Sequence, residues 1–274
     1  MELLRAAEHP TAQVVHAAAG VLRAGGAVVL PTDTVYGVAA LASLPGATAQ
    51  LWRLKGRRDD QPFAVLVADL DQGLALLDLS SPPAPADERD GGVRDGNEGE
   101  GDGGARDGDE CGVRDGGEGD GGVRDGGVRD GGEHGGGGDV ASAPSERRAL
   151  VRAWTERFWP GALTVVGPRS AAARPLELGP TALDTIGVRC PANPIVRALA
   201  AEVGPLATTS ANRSGEPTAR DAEAAAASLA EAVPIVIDGG PAGTVASTVV
   251  DVTVTPWRVL RVGAIPPEAL VLAR

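Results

Sequence analysis

Along residues 11–24 the apolar positions Val14, Val15, Ala18, Val21 and Leu22 recur at helical spacing. Thr11 stands where an N-cap belongs and Gly25-Gly26 stop the pattern, so it predicts a helix over 11–24. AVVLP (27–31) is then apolar without alternation, as in a strand buried on both faces, and the polar loop TDTVYG (32–37) follows. The same reading gives a helix over 47–55 ending at Lys55-Gly56, a buried strand over FAVLVA (63–68) and a short helix over 71–78. After a long polar stretch the pattern resumes with a helix at 146–157, and FWPGALTVV (158–166) turns at Pro160-Gly161 into a strand. TIGVR (185–189) reads as a strand, 194–203 as a helix, and PLATTS (205–210) as a strand ending in a polar loop. Residues 220–232 form an Ala-rich helix, PIVID (234–238), STVVDVT (247–253) and WRVLRVG (257–263) read as strands, and a short helix over 266–272 closes the chain. Strands alternating with helices predict an α/β domain around a largely buried sheet, and the strand–strand succession near the end makes that sheet mixed.

Composition changes the picture in one place. The 274 residues carry 25 Lys+Arg against 37 Asp+Glu, a formal charge of −12. Residues 81–145 alone hold 22 of the 39 glycines and 17 acids against 6 arginines, with no Leu, Ile, Phe, Trp or Tyr. Such a segment has almost nothing to bury and is expected to be disordered. Its degenerate repeat, clearest in GGVRDGGVRD (121–130), lacks the large apolar residue that each turn of a calcium-binding β-roll needs. The remainder, 11–80 with 146–272, is near neutral and predicts one discontinuous domain. No apolar run approaches the ~20 residues that span a bilayer. MELLRAAEHP has no apolar h-region, and two cysteines, Cys111 and Cys190, make no disulfide framework. Three scattered histidines without paired cysteines supply no metal site. The expectation is a reduced, cytoplasmic protein with no membrane partner.

Polar clusters follow two of the predicted strands: Thr32, Asp33, Thr34 and Tyr36 after the first, and Thr208, Thr209, Ser210 and Asn212 after another. Ligands of open α/β sheets sit at such strand ends, although the same residue types also cap helices and make turns. The cations Lys55, Arg57 and Arg58 lie together, Arg189 ends a strand and Arg261 sits in one. Lys55 is the only lysine, the other 24 cations being Arg, and Tyr36 is the only tyrosine. Because a compact ammonium and a planar guanidinium are not interchangeable, a single retained lysine marks a candidate site. The chain has no GxxxxGK[ST], no GxGxxG and no Ser-His-Asp logic, so chemistry here would work by positioning and charge stabilisation. By itself this pattern reaches a small-molecule or phosphate-binding α/β domain.

The segments LPTDTVYGVAAL, LWRLKGRRDDQPFAVLV, FWPGALTVV, DTIGVRCPANP, ATTSANRSGEPT, IDGG, STVVD and VLRVGAI occur in the order of the YrdC/TsaC family of L-threonylcarbamoyladenylate synthases, which the chain resembles over about 14–80 and 146–270. The resemblance is to the short form without an extra C-terminal domain, and it implies a twisted, open mixed sheet with flanking helices. It also implies a nucleotidyltransferase reaction in which L-threonine, bicarbonate and ATP give threonylcarbamoyl-AMP and pyrophosphate. The product would pass to tRNA threonylcarbamoyl-transferase proteins, with weak tRNA contact. Carried over residue by residue, Lys55 and Arg57 are the catalytic pair, and Thr34, Arg189, Thr209 and Ser247 hold threonine. ATP falls to Tyr36, Lys55, Arg57, Gln61, Thr185, Ser210, Ala211 (by backbone), Asn212 and Arg261, with Mg2+ arriving on the nucleotide. Arg58 stands where the family commonly has Pro, Leu66 where some members place His, and Ala162 where Pro is frequent. A competing reading is a non-catalytic RNA-binding or ribosome-assembly module of the same fold; a near-neutral domain without a Lys/Arg stripe speaks against it. A carbamoyl-transfer module would need further domains not seen in this sequence.

Overall fold

The computed structural model describes residues 1–55, 62–85, 144–179, 183–213 and 215–272. Helix α1 (Thr11–Arg23) buries Val14, Val15, Ala18, Ala19 and Leu22, as the spacing predicts. Its N-cap, however, is Pro10, and Thr11 is the first helical residue with no side-chain cap. Among the helices that follow, α2 (Ala49–Leu54), α3 (Leu70–Ala75), α4 (Pro144–Phe158) and α5 (Pro194–Val203) lie near their predicted places. Asp69 caps α3 by accepting from Gln72 N, and Asn193 caps α5 with Pro194 behind it at the first turn. Asp221 caps α6 (Ala222–Ala227), which is about half as long as its Ala-rich segment predicts, and α7 is Pro267–Val271.

Among the described residues ten strands form one mixed sheet. In chain order they are β1 (Glu2–Arg5), β2 (Val28–Leu30), β3 (Gly37–Leu41), β4 (Ala64–Leu66), β6 (Leu163–Pro168), β7 (Thr185–Arg189), β8 (Leu206–Ser210), β9 (Ile235–Asp238), β10 (Thr248–Asp251) and β12 (Arg258–Arg261). Their spatial order is β1-β9-β2-β3-β8-β4-β7-β6-β10-β12. A separate pair, β5 (Ala84–Pro85) and β11 (Val254–Thr255), runs parallel. The described residues therefore include β5 at Ala84–Pro85 and begin again at Pro144 with α4, both within the 81–145 range. The rest of that range lies outside the described residues, as does Cys111.

The two faces of the sheet are treated differently, and this creates the site. Helices α2, α4 and α6 cover one face over a core that includes Val65, Leu163, Val165, Ile186, Val188, Ala207 and Val250. On the other face α1 and α5 cover Val28, Leu30, Ala39, Leu41, Leu66 and Leu206, the side of β2, β3 and β9. Beyond Leu66 and Leu206 no helix among the described residues covers that second face. Alternation along each strand then turns Ala64, Thr208, Ser210, Thr185, Gly187, Val166 and Val249 toward that side, each of them half-exposed.

Candidate active site

The open face is floored by β8, β4, β7, β6 and β10. Register fixes which side chains reach it. Ala64 lies opposite Thr208, Gly187 opposite Val166, Thr164 opposite Val249, and Val249 opposite Arg261. Arg189 belongs to the same side as Gly187 and Thr185, two and four residues back along β7. At ~3.3 Å per residue the span from Thr185 to Arg189 is about 13 Å, and the three strand spacings from β7 to β12 add about 14 Å across. The floor is thus wide enough for a nucleotide and a small second ligand side by side.

Arg189 anchors one end. Its Nε donates to Gly161 O (2.9 Å), one terminal nitrogen to Thr34 Oγ1 (2.8 Å) and the other to Asp33 Oδ1 (2.7 Å). Asp33 Oδ1 also accepts from Ala192 N at 3.0 Å, so the 32–36 loop is tied to the loop after β7. Within the loop Thr32 Oγ1 bonds Thr34 Oγ1 (3.0 Å) and donates to Val35 O (2.6 Å), which sets the turn. The loop's outer side meets the 239–243 segment so closely that a Cβ at Gly239 would lie 2.6 Å from Pro31 Cγ, and one at Gly243 2.8 Å from Thr34 O. Burial lowers the Arg189 pKa, while the Asp33 carboxylate opposes the shift.

A second cluster sits beside it. Ser247 is buried; its Oγ bonds Thr164 Oγ1 at 2.9 Å and accepts from Arg261 at 3.1 Å. Arg261 also grips Ser247 O through Nε (3.1 Å) and a terminal nitrogen (3.0 Å). Its pKa is lowered first by burial and then by the charge of Arg189. No carboxylate pairs with Arg261 among the described residues, and the two guanidiniums repel across the face. That arrangement is complementary to an anion. β12 is an edge strand, so Arg261 is more exposed than its place in a predicted strand implied.

Lys55, the residue after α2, marks the other end. It is 5% exposed, and its Nζ donates to Ser210 O (3.2 Å), Ser210 Oγ (3.3 Å) and Asn212 Oδ1 (3.1 Å). Ser210 ends β8 on the open face, and Asn212 is buried behind it. The only lysine of the chain is therefore held where strand end and polar loop meet. Arg57, Arg58 and Gln61 lie outside the described residues.

Three of the expected residues are placed differently from the others. Thr209 pairs with Val38, a residue of the helix-covered core, so alternation turns its side chain away from the open face. Thr208 and Ser210 face the site instead, and Ala207 is buried in the same core. Tyr36 is 1% exposed, and its hydroxyl donates to Gly240 O (2.6 Å) and accepts from Gly239 N (3.2 Å), so the ring pins the loop instead of facing a ligand. The Ala211 N–H donates to Tyr36 O (2.9 Å) and its carbonyl accepts from Ser228 Oγ (3.0 Å). Thr34, Thr185, Ser210, Ser247 and the cations Lys55, Arg189 and Arg261 do border one face. Asp33 and Thr164, which sequence reasoning left without a role, also belong to it. Leu66 is buried under α1 and α5 beside Arg189, and Ala162 is half-buried.

The family model Sua5/YciO/YrdC, described as telomere recombination, matches residues 20–86 and 139–263. A Mycobacterium tuberculosis protein named a candidate threonylcarbamoyl-AMP synthase is 32% identical over 254 residues, 92% of this chain and 85% of that protein. The threonylcarbamoyl-AMP synthase of Bacillus subtilis is 30% identical over 258 residues, 92% of this chain and 54% of its own length. Among solved structures, Pyrococcus abyssi Sua5 complexed with L-threonine superposes with a TM-score of 0.64 at 26% identity, covering 99% of this chain and 59% of that one. The fold of Escherichia coli YciO matches with a TM-score of 0.62 at 20% identity, over 98% of both chains. The chain thus spans most of the mycobacterial relative but little more than half of the B. subtilis and P. abyssi proteins.

Proposed function

The chain belongs to the Sua5/YciO/YrdC family, and from that premise we infer that it is a threonylcarbamoyl-AMP synthase, joining L-threonine, bicarbonate and ATP with release of pyrophosphate. The observation that carries this reading is the convergence on one open face of Lys55, Arg189 and Arg261, drawn from α2, β7 and β12 and flanked by hydroxyls. The reaction brings anion to anion. Bicarbonate takes up a proton and loses water to give carbon dioxide, threonine's amine gives up its proton and adds to that carbon as a carbamate, and a carbamate oxygen attacks the α-phosphorus. The Pα–O bond to the β-phosphate breaks and pyrophosphate leaves. Fixed cations that need no reorganisation are what such a step requires.

In this assignment Arg189 clamps the threonine carboxylate with its two remaining N–H donors, and Thr34 and Ser247 read the polar groups beside it. Arg261 faces the phosphates from the β12 edge. Lys55, steadied by Ser210 and Asn212, offsets charge at the opposite end together with Arg57. Thr208 takes the place expected of Thr209. Thr185 and Ser210 line the nucleotide side. Among the described residues no three His, Cys, Asp or Glu converge, so this part of the chain offers no cage for Mg2+. The ion belongs to the nucleotide's own phosphates, and no step is routed through it. Enzymologically this is nucleotidyl transfer, and its labile product is of use only to proteins that place the threonylcarbamoyl group on tRNA. No helix among the described residues is long and apolar enough to cross a membrane, which accords with the cytoplasmic setting of tRNA modification.

The test is pyrophosphate release from ATP with and without L-threonine and bicarbonate. Release that requires both is expected. Release indifferent to threonine would remove the reading and leave the RNA-binding module, to be tested by salt-dependent tRNA binding.

A further inference from the structure

The Asp33–Arg189 pair does more than tie two loops. Asp33 engages through one oxygen only: Oδ1 accepts both Arg189 (2.7 Å) and Ala192 N (3.0 Å), whereas Oδ2 has no hydrogen bond among the described residues. The two partners are also unequally covered, with side chains 20% and 7% exposed for Asp33 and Arg189. The acid is therefore the more water-accessible member of the pair. Nε and one proton on each terminal nitrogen of Arg189 are committed to Gly161, Thr34 and Asp33, which leaves two donors for an incoming carboxylate. An unused carboxylate oxygen and two unused guanidinium donors thus lie side by side, carried on groups 2.7 Å apart. The ammonium and carboxylate of an α-amino acid are likewise separated by a single carbon. A buried ion pair by itself adds little to stability, so stability alone does not account for a charge placed here.

We propose that Asp33 and Arg189 together read the small substrate as a zwitterion: Arg189 takes its carboxylate and Asp33 Oδ2 takes its α-ammonium. This rests on the synthase reading for the identity of the amino acid, and it makes Asp33 a substrate-binding residue that selects amino acids over hydroxy acids and plain carboxylates. A site built to pair an ammonium rejects a ligand lacking one, because the carboxylate is then left facing an uncharged group.

The experiment is equilibrium binding of L-threonine and of (R)-3-hydroxybutyrate, which is threonine without its amine, to the full chain and to Asp33→Asn. The amide keeps an oxygen for Arg189 and Ala192 but loses the charge. The wild type is expected to bind threonine at least tenfold tighter than the amine-free analogue. In Asp33→Asn threonine affinity falls at least tenfold, while affinity for the analogue stays within about threefold. Asp33→Glu restores part of the discrimination. Equal weakening of both ligands in Asp33→Asn would overturn the proposal, because Asp33 would then act only by holding Arg189. A wild type that binds both ligands alike would overturn it without any variant. A protein that discriminates as expected yet releases no threonine-dependent pyrophosphate would remove the synthase reading and leave this inference standing. One that makes product but weakens equally on both ligands would do the reverse.

Discussion

Lys55→Met removes the ammonium and keeps an unbranched apolar stem, so it opens no cavity where the 5% exposed side chain runs. Among the described residues the charge it deletes has three acceptors, at 3.1 to 3.3 Å. These distances are at the long end for charged hydrogen bonds, and Ser210 Oγ and the strand-end carbonyl can be reached by water from the open face. A single charge-assisted bond is worth about 1.5–3 kcal/mol, and partial rehydration returns much of the rest, so the stability cost is about 2–3 kcal/mol. That leaves a folded protein at room temperature if its stability lies in the usual range of about 5–15 kcal/mol. Activity should suffer more. If Lys55 offsets phosphate charge in the transition state, its loss lowers threonine-dependent pyrophosphate release by about 10²–10³, as for other preorganised donors. Lys55→Arg separates charge from shape: a planar fork cannot fill a position set by three acceptors around one nitrogen, so it should lose at least about tenfold despite the retained charge. The assay is coupled pyrophosphate detection at saturating substrates, with a thermal melt of each variant. A Lys55→Met protein within threefold of wild type would refute the role given to this lysine, and so would a loss that disappears on correction for the unfolded fraction.

Other expectations follow from register and burial. Thr208→Val should raise the KM for threonine or ATP about tenfold, whereas Thr209→Val, on the covered side, should leave both within twofold; equal effects would contradict the strand alternation. Gly187 has neither a positive φ nor a close neighbour, a Cβ there meeting only Thr164 and Val166 methyls at 3.6 Å. Gly187→Ala should therefore melt no lower than wild type, while Gly187→Val keeps its fold but loses turnover by crowding the floor; a Val variant with full activity would place the substrates elsewhere. The Tyr36 phenol is pushed up to about 12, chiefly by burial. Because the folded pKa lies above the unfolded value of about 10, the proton is held more tightly in the native state. Its contribution is complete below pH 10 and is lost between pH 10 and 12, by about 3 kcal/mol over that window. As the only tyrosine, it can be followed directly by phenolate absorbance. A midpoint near 10 in the folded protein would contradict the buried, bonded hydroxyl, and Tyr36→Phe should abolish this part of the alkaline stability loss.

Strong periodicity and sharp stops made most of the fold legible. TIGVR and the helix at 194–203 are found with their predicted boundaries, because Asn193-Pro194 begins that helix and Gly204 follows it. β1 was hidden by the charges of MELLR, since pairing with the core strand β9 and not intrinsic pattern makes it a strand. β3 was hidden because GVAAL is small and uniform, and it becomes a strand only between β2 and β8. The cations of the site were visible as residue types, and Lys55 was visible by its rarity. Thr208 and Thr209 could not be told apart without the sheet, although the buried Ala207 next to them held the signal: alternation from a core position already assigns 208 and 210 to the opposite side. Asp33 stood out only as one member of a polar cluster and Thr164 not at all, because their partners, Arg189 and Ser247, are 156 and 83 residues away in sequence.

The central claim is that one open face joins the amino-acid end of the site to its phosphate end. The most direct measurement supplies ATP labelled at the α-phosphate together with labelled L-threonine and bicarbonate, and separates the products rapidly. One adduct carrying both labels is expected, formed in equal amount with pyrophosphate and strongly reduced in Lys55→Met and Arg189→Ala. Release of free AMP with pyrophosphate, with no doubly labelled adduct at any time, would contradict it.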